Sequence, residues 1–367
     1  MTDNQHLYAV LLAGGGGTRL WPKSRDNYPK QFLKLTGEQS MMQIAAERIN
    51  RLVDWSNIIV VTNHKYVKEV SKQLPKVIKE NIIAEPLKKD TALAMLVGAL
   101  YAKSKDKNAV IINAASDHIV TNLQEFDRVM NKAVDVAQKD KYLITVGITP
   151  THPTSAFGYI KAGQEIRKLD RDLSLFKVDS FTEKPQLATA AAFISTGHYF
   201  WNANMYVWSA KAIQKSFSKY MPSLYHLTKH LEKLKTTAFH QAIKDVYQQA
   251  EAISIDYAIS EKADNLVLIP GDFGWNDVGD WKVVYQLGKK DPSGNVILGE
   301  EQSVQTITQK AYANLIHGNH RLIALYGIRD LIIVDTDEIL LICPKEHAQD
   351  VKKIVNQLKE EGRHQYL

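Results

Sequence analysis

The sequence has one cysteine among 367 residues, and this scarcity excludes several classes of protein. Cys343 alone cannot form an intrachain disulfide or a cysteine-based metal site. No apolar window reaches the roughly 18 residues that a membrane-spanning helix needs. Residues 1–6 are polar and lack the apolar core of a secretory leader. We therefore expect a reduced, cytoplasmic protein.

Long blocks of a single charge are also missing. Lys and Arg total 46 and Asp and Glu total 40, which gives a net charge of +6, yet no Lys/Arg block exceeds a few residues. A dispersed positive balance suits a phosphate-bearing ligand, so we expect neither nucleic acid nor a membrane as a partner. With 45% hydrophobic residues, the chain is long enough for one large core and a smaller second unit.

Glycine is concentrated near the start, where four consecutive glycines follow an apolar run at residues 8–13. The run is hydrophobic at successive positions, which indicates a buried parallel strand. Glycines lack Cβ atoms, so their backbone N–H groups can approach a polyphosphate. The G-x-G-x-x-G pattern fits poorly because Arg19 stands at its third glycine position. The G-x-x-x-x-G-K-[ST] pattern fails because no lysine follows the glycines directly.

Strand-length and helix-length patterns alternate through the first half of the chain. Strands are predicted at 57–61, 81–84, 109–113 and 142–147, with helices at 42–52, 64–74, 90–103 and 126–138. Repeated βα units imply a parallel sheet covered by helices. Ligands bind beyond the carboxyl ends of such strands, so polar residues there are candidates for a site. Glu85, Thr91 and Asp117 occupy such positions.

The second half has a different pattern. Antiparallel strands are predicted at 157–161 and 176–183, an aromatic strand at 198–208 and a helical region at 210–250. The composition shifts near Gly288, after which several short β runs precede a final amphipathic helix. We see no hexapeptide repeat over these β runs.

The glycine-rich stretch resembles a known signature. Gly-Gly-Gly-Thr-Arg-Leu-Trp-Pro at residues 15–22, followed by Pro-Lys at 29–30, is similar to the G-x-G-T-R-x-x-P…P-K pattern of sugar-nucleotide pyrophosphorylases. The neighbouring Tyr-Pro-Lys-Gln-Phe at 28–32 resembles the mannose-1-phosphate guanylyltransferase branch of that family. Further motifs match in the family's order over nearly the whole chain.

The resemblance implies a fold and a reaction. The fold is α/β, a Rossmann-like nucleotidyltransferase with a mixed, mainly parallel sheet. Residues 1–288 would form the catalytic domain and residues 289–367 a small β-rich domain ending in a helix. The implied reaction transfers a nucleotidyl group from GTP to α-D-mannose 1-phosphate with Mg²⁺ as cofactor, and releases GDP-mannose and pyrophosphate.

The same resemblance implies roles for individual residues on the nucleotide side. Arg19 and Lys30 would face the transferring group. Asp117, in Ala-Ala-Ser-Asp-His, and Asp277, in Gly-Trp-Asn-Asp-Val-Gly, would hold the metal and complete the catalytic set. His118 is interpreted as structural, because the attacking phosphate is already anionic and needs no base. The residues implied to lie along the nucleotide are Ala13, Gly14, Gly15, Gly16, Gly17, Thr18, Arg19, Glu85 and Thr91.

The implied sugar-phosphate residues follow from three more motifs. Glu183 and Lys184 lie in Phe-Thr-Glu-Lys-Pro, and Gly158 lies in Phe-Gly-Tyr-Ile. Asn202 lies in Trp-Asn-Ala-Asn-Met-Tyr, where the family pattern is Trp-Asn-x-Gly-Met. Two residues therefore depart from the family pattern, Asn204 in place of that glycine and Lys23 in place of a commonly apolar residue. Asp256, in a further matching stretch, is given no catalytic role, because a helix N-cap explains it as well.

The sequence leaves alternatives open. A related hexose-1-phosphate nucleotidyltransferase could use another sugar or another NTP. A catalytically inactive, sugar-nucleotide-sensing subunit is a second alternative, although the four charged catalytic positions are all present. A Rossmann dehydrogenase is less favoured than either. The oligomeric state is not fixed by the sequence, and a homodimer is left open.

Overall fold

The structure is a computed structural model that describes residues 4–139, 141–299 and 304–367. The chain divides into two compact units. The first comprises Met1–Gly14, Ala45–Ser116 and Val120–Trp275, and the second comprises Gly15–Ile44, Asp117–Ile119 and Asn276–Leu367. The second unit is thus assembled from three segments that are far apart in sequence.

Strands and helices alternate through the first of these units and at its borders. The strands are β1 (Leu7–Ala13), β2 (Ile58–Asn63), β3 (Ile82–Glu85), β4 (Val110–Ala115), β5 (Ile119–Val120), β6 (Leu143–Ile148), β7 (Tyr159–Lys168), β8 (Ser174–Thr182), β9 (Tyr199–Ser209), β10 (Leu266–Gly271) and β11 (Trp275–Asn276). The helices are α1 (Met41–Asn50), α2 (Val67–Gln73), α3 (Asp90–Lys105), α4 (Leu123–Lys139), α5 (Leu187–Ser195), α6 (Ala210–Tyr220), α7 (Pro222–Thr228) and α8 (Thr236–Gln249). No helix within the described residues is long and apolar enough to cross a membrane.

One mixed sheet organises the first unit, with strand order β3-β2-β1-β4-β9-β6-β10-β8-β7. Strands β1 to β4 pair in parallel, and β6 pairs in parallel with β10. Long connections between the paired strands allow this parallel arrangement. The aromatic strand β9 inserts antiparallel between β4 and β6. The predicted α/β fold with a mixed, mainly parallel sheet is confirmed.

The second unit contains short strands that pair in parallel, except for the last, which pairs antiparallel with its neighbour. They are β12 (Val296–Leu298), β13 (Gln305–Gln309), β14 (Leu315–His317), β15 (Leu322–Tyr326), β16 (Leu331–Asp335) and β17 (Leu340–Pro344). Val296 pairs with Leu315, and Leu315 pairs with Ile332, so successive coils lie in register. This β-helix-like arrangement was not predicted, since the sequence lacks a hexapeptide repeat that would signal it. Strands β16 and β17 form an antiparallel hairpin.

Helices α9 (Trp281–Leu287) and α10 (Val351–Glu360) complete the second unit. Trp21 and Trp281 share one buried cluster with apolar residues of β14 and β16. The Trp281 indole N–H donates to the Trp21 carbonyl at 2.9 Å, and the Trp21 indole N–H donates to the Tyr366 carbonyl at 2.7 Å. The boundary between residues 288 and 289 divides the chain by composition and stays a prediction. By packing, residues 15–44 and α9 belong with the C-terminal segment.

Candidate functional site

The glycine loop leads into a short 3-10 helix, Thr18–Leu20, in the second unit. Gly16 is exposed, and its carbonyl accepts a hydrogen bond from the Ser24 hydroxyl at 2.8 Å. Gly17 has φ 72°, in the left-handed region, and a Cβ at this position would lie 2.5 Å from the Cβ of Lys30. Glycine is therefore required at position 17 both for the turn and for its close packing on Lys30.

Lys30 joins the two aspartates that were predicted to bind metal. Its side chain is 8% exposed, and Nζ donates to Asp117 Oδ2 at 2.8 Å and to the backbone carbonyl of Asp277. Arg19 is close enough to lower the pKa of Asp277 through its charge. The structure thus brings the four predicted catalytic residues together, and their roles stay predictions.

The two carboxylates of this cluster have opposite pKa shifts. Burial favours the neutral form of Asp117, but the charge and hydrogen bond of Lys30 outweigh burial and lower the pKa of Asp117. Burial raises the pKa of Asp277, and repulsion from Asp117 and Asp280 adds to that shift, while Lys30 and Arg19 oppose it. Asp277 therefore lies where an additional cation would be favoured electrostatically.

These carboxylates fit a magnesium ion by their donor chemistry. Mg²⁺ prefers oxygen ligands, keeps several waters and needs only one or two protein carboxylates when a substrate supplies phosphate oxygens. Asp117 and Asp277 offer such a pair. No group of three or more His, Cys, Asp or Glu residues in the described part of the chain is arranged to hold a metal. A site formed entirely by protein side chains is therefore not indicated there.

A strained turn positions Asp277. The next residue, Val278, is buried and has φ 47°, which is an outlier for a β-branched residue. Its backbone N–H donates to Asn276 Oδ1 at 2.7 Å, which helps to hold the turn. A Cβ at Gly279 would lie 3.2 Å from Asp277 Oδ2. The flanking residues of the Gly-Trp-Asn-Asp-Val-Gly motif thus set the position of its aspartate.

Glu85 ends strand β3 in the first unit and is 8% exposed. The Tyr247 hydroxyl donates to Glu85 Oε1 at 2.9 Å, and a Cβ at Gly14 would lie 3.5 Å from Glu85 Oε2. Burial, with a smaller contribution from Asp90, raises the pKa of Glu85 to about 7, although the Tyr247 bond and Lys88 oppose the shift. Of the implied nucleotide residues in this unit, Gly14 and Glu85 are thus neighbours.

Thr91 and Ala13 have structural partners in the same unit. Thr91 lies at the start of α3, and its hydroxyl oxygen accepts a hydrogen bond from the Ile255 backbone N–H at 2.9 Å. The Ala13 carbonyl accepts a hydrogen bond from the Thr62 hydroxyl at 2.8 Å, which ties the end of β1 to β2. Their implied contacts with a nucleotide stay predictions.

The residues predicted to bind the sugar phosphate lie together in the first unit. The Asn202 backbone N–H donates to the Gly158 carbonyl at 2.8 Å. A Cβ at Gly158 would lie 2.6 Å from Glu183 Oε2, so this close approach requires glycine. Lys184 Nζ donates to Glu183 Oε1 at 2.8 Å, and this bond raises the pKa of Lys184. The four residues form one polar cluster whose binding role stays a prediction.

Asp256 belongs to this cluster, although its sequence was interpreted as a helix cap. The N-cap explanation is wrong, because Asp256 is the first residue of a short π-helix, Asp256–Ser260, whose N-cap residue is Ile255. Its Oδ1 instead accepts hydrogen bonds from Asn202 Nδ2 at 2.9 Å and from the Tyr206 hydroxyl at 3.0 Å. Burial raises the pKa of Asp256 to about 6. The matching stretch around Asp256 was the only signal in the sequence, and it did not reveal these distant partners.

Asn204 keeps the backbone conformation that its glycine counterpart would allow. Its φ is 52°, and asparagine tolerates the left-handed region better than most other residues. The departure from the family pattern therefore leaves the path of β9 intact.

Comparison with known proteins identifies the family of this chain. The profile of the nucleotidyl transferase family matches residues 8–294, and that of the MannoseP isomerase/GMP-like beta-helix domain matches residues 299–358. A mannose-1-phosphate guanylyltransferase of Salmonella montevideo is 37% identical over 363 residues, which cover 98% of this chain and 75% of that protein. An Escherichia coli K12 protein with the same name is 34% identical over 369 residues, with the same coverage.

A solved structure agrees with these sequence matches. The crystal structure of a Thermus thermophilus protein, described as a mannose-1-phosphate geranyltransferase, has a TM-score of 0.84 at 26% identity. The match covers 96% of this chain and 99% of that protein. The similarity thus extends over the glycine loop, the sheet and the β-helix-like segment. The chain is a nucleotidyltransferase that belongs to the nucleotidyl transferase family and, within it, to the mannose-1-phosphate guanylyltransferases.

Proposed function

We propose that this protein transfers the guanylyl group of GTP to α-D-mannose 1-phosphate and releases GDP-mannose and pyrophosphate. The observation that carries the proposal is the cluster in which Lys30 bridges Asp117 and Asp277. This cluster combines a phosphate-binding cation with two oxygen-donor side chains in a chain of the matching family. Phosphoryl chemistry of this kind needs positioned charge rather than a covalent intermediate.

In the proposed reaction, a phosphate oxygen of the sugar phosphate attacks the α-phosphorus of GTP in line. A new P–O bond forms while the bond between the α-phosphorus and its bridging oxygen to the β-phosphate breaks. The electron pair leaves with pyrophosphate, and the attacking dianion needs no general base. Arg19 and Lys30 oppose the negative charge that develops on the phosphoryl oxygens. The backbone N–H groups of residues 14–17 hold the triphosphate.

Asp117 and Asp277 would hold Mg²⁺, which when bound neutralises phosphate charge and orients the triphosphate. In the first unit, Glu183 would accept hydrogen bonds from sugar hydroxyls, and Lys184 would contact the sugar phosphate. Asn202 and Gly158 would complete the sugar contacts. Glu85 and Thr91 would lie along the nucleotide.

The proposal is tested with purified protein, a panel of NTPs and hexose 1-phosphates, and an assay of pyrophosphate release with and without Mg²⁺. We expect the highest kcat/KM for GTP with mannose 1-phosphate and loss of turnover with EDTA. Preference for another pair would identify a related nucleotidyltransferase. Binding of GDP-mannose without turnover of any pair would identify a sensing subunit.

A variant tests the proposed metal residues. Asp277→Asn should lower kcat by about 10³-fold, since it replaces a charged carboxylate ligand of the metal with a neutral amide. We expect the fold to persist, because burial, Asp117 and Asp280 already disfavour a charge at this position. Asp272→Asn, at an exposed aspartate close in sequence, is the matched control and should retain activity. Activity of Asp277→Asn equal to that of the control would contradict the metal assignment.

A further inference from the structure

Asp256 is a buried carboxylate to which the proposed reaction assigns no role. It is 6% exposed and therefore needs hydrogen-bond donors in place of water. Its Oδ1 has two, the Asn202 amide and the Tyr206 hydroxyl. The Tyr206 hydroxyl also lies 2.8 Å from the Ser260 hydroxyl, so Tyr206 is held from two sides. Asp256 is thus fixed in place by buried neighbours.

These contacts determine the orientation of the Asn202 amide. An amide side chain has a donor end and an acceptor end, which are distinguished by their partners. The donor end, Nδ2, faces the Asp256 carboxylate, which when ionised can only accept. The acceptor end, Oδ1, receives the Asn204 backbone N–H at 3.1 Å in an Asx-turn. Rotating the amide by half a turn would break both hydrogen bonds.

The oriented amide lies beside the other predicted sugar residues. The Asn202 backbone bonds to Gly158, and a Cβ at Gly158 would lie 3.4 Å from the Asn202 Cβ and 2.6 Å from Glu183 Oε2. The Asn202 side chain also hydrogen-bonds to the Tyr206 hydroxyl, so its amide oxygen, with one remaining lone pair, is the atom it can offer to a ligand. The protein contacts therefore define what Asn202 can offer to a sugar phosphate.

We propose that Asp256 is a positioning residue of the sugar-phosphate site, which acts by holding the Asn202 amide in one orientation. The proposal rests on the proposed function, in which Asn202 contacts the sugar phosphate. Asp256 does not touch the substrate in this account. Its removal should therefore affect the sugar phosphate rather than GTP, and only when Asn202 is present.

A double-mutant cycle tests this dependence. Asn202→Ala and Asp256→Ala should each raise the KM for mannose 1-phosphate about tenfold, the size expected for one hydrogen bond, and leave the KM for GTP within about twofold. The double variant should be no worse than the worse single variant. Asp256→Asn, which keeps an acceptor oxygen and nearly the same shape, should have an intermediate KM and serves if Asp256→Ala does not fold.

Ser260→Ala is the matched control, because it removes a hydrogen bond to Tyr206 in the same buried network and leaves the bond between Asp256 and Asn202 in place. It should change the KM for mannose 1-phosphate by less than about threefold. The proposal is overturned if Ser260→Ala raises this KM as much as Asp256→Ala does. It is also overturned if Asp256→Ala has as large an effect without Asn202 as with it, or if it lowers thermal stability with no change in the KM for the sugar phosphate.

Failure of the proposed function gives a different result. If the wild-type protein turns over another substrate pair, the same cycle is measured with that sugar phosphate. If it turns over none, binding of mannose 1-phosphate to the four proteins of the cycle is measured by calorimetry. In each case, additive effects of the two substitutions refute the role of Asp256, whichever substrate the enzyme uses.

Discussion

Glu85 is a carboxyl group whose folded surroundings favour the proton. Its pKa is raised from 4.5 to about 7, mainly by burial. Between these two values the unfolded chain has released the proton while the folded protein still holds it. The folded state binds more protons over that range, so the free energy of unfolding falls as pH rises from about 4.5 to about 7. Below that window, the contribution of Glu85 to stability is fully present.

Glu85→Gln should remove this dependence. The neutral amide keeps an oxygen for the Tyr247 hydroxyl and avoids the burial of a charge. At pH 8 the variant should therefore be more stable than wild type by about 3 kcal/mol, and at pH 4.5 the two should be similar. Urea unfolding at both pH values measures the difference. Glu251→Gln, at an exposed position, should leave the pH profile unchanged, whereas an equal gain for both variants would contradict the assignment.

Gly17 and Gly16 are adjacent but differ in the space available for a side chain. Gly17→Ala places a methyl group 2.5 Å from the Lys30 Cβ at φ 72°, and should lower the free energy of unfolding by about 2 kcal/mol or more. Gly16→Ala meets no atom within 4 Å and should cost under about 1 kcal/mol. Thermal unfolding of the two variants provides the comparison. Equal losses would show that the packing on Lys30 does not determine the loop.

These two glycines show which features of single residues can be predicted from the sequence and which cannot. The glycine-rich motif predicted a phosphate-binding loop and included Lys30, and the position of Glu85 after a predicted strand made it a candidate. It did not predict which glycine packs on Lys30, or that Tyr247 binds Glu85 from 162 residues away. The local sequence around Asp256 likewise did not predict its hydrogen bonds, because its partners Asn202 and Tyr206 lie about 50 residues away on strand β9. Long-range burial, rather than local pattern, decides these contacts.

Helix α3 packs closely on the sheet at Gly98. A Cβ at Gly98 would lie 2.7 Å from Val10 Cγ2, and Val10 in β1 is fully buried. Alanine has the better helix propensity by about 1 kcal/mol, but overpacking of a dense core costs about 1–3 kcal/mol. Gly98→Ala should therefore destabilise the protein by about 1–2 kcal/mol, as measured by urea unfolding.

The partner residue provides the control for that substitution. Val10→Ala alone should destabilise by about 2 kcal/mol because it leaves a cavity. In the double variant, the methyl group of the new alanine at 98 occupies that cavity, so the two losses should be less than additive. If the two losses of unfolding free energy are strictly additive, Gly98 and Val10 are not in close packing contact.

Three sets of strands show why the fold was only partly predictable from the sequence. The buried runs of β1 to β4 have a strong local pattern, and their parallel pairing follows from long βα connections. The aromatic strand β9 was predicted as a strand, but its antiparallel place between β4 and β6 depends on distant partners. The stacked strands β12, β14 and β16 are too short to show a repeat.

For the molecule as a whole, the division into units predicts the effect of truncation. A chain that ends at Gly288 keeps Arg19, Lys30, Asp117 and Asp277. It lacks half of the buried residues in the cluster around Trp21, including those of strands β14 and β16. We expect such a chain to lose turnover of GTP with mannose 1-phosphate and to bind the apolar dye ANS, since the second unit lacks its core.

The control for truncation is the full-length chain under the same conditions. Limited proteolysis should cut the shortened protein within residues 15–44, which lose their packing partners, before it cuts the first unit. Full turnover by the shortened chain would show that residues 1–288 fold as an independent catalytic domain.

The bonds of Trp21 to Trp281 and Tyr366 also set the order in which the protein assembles. They join residues 260 and 345 positions apart. Closing the longer loop costs roughly 3 kcal/mol more than closing a ten-residue loop. At about 5–20 residues per second, a ribosome needs tens of seconds to make the intervening chain. The glycine-rich segment is therefore among the first parts to be synthesised and among the last to be packed.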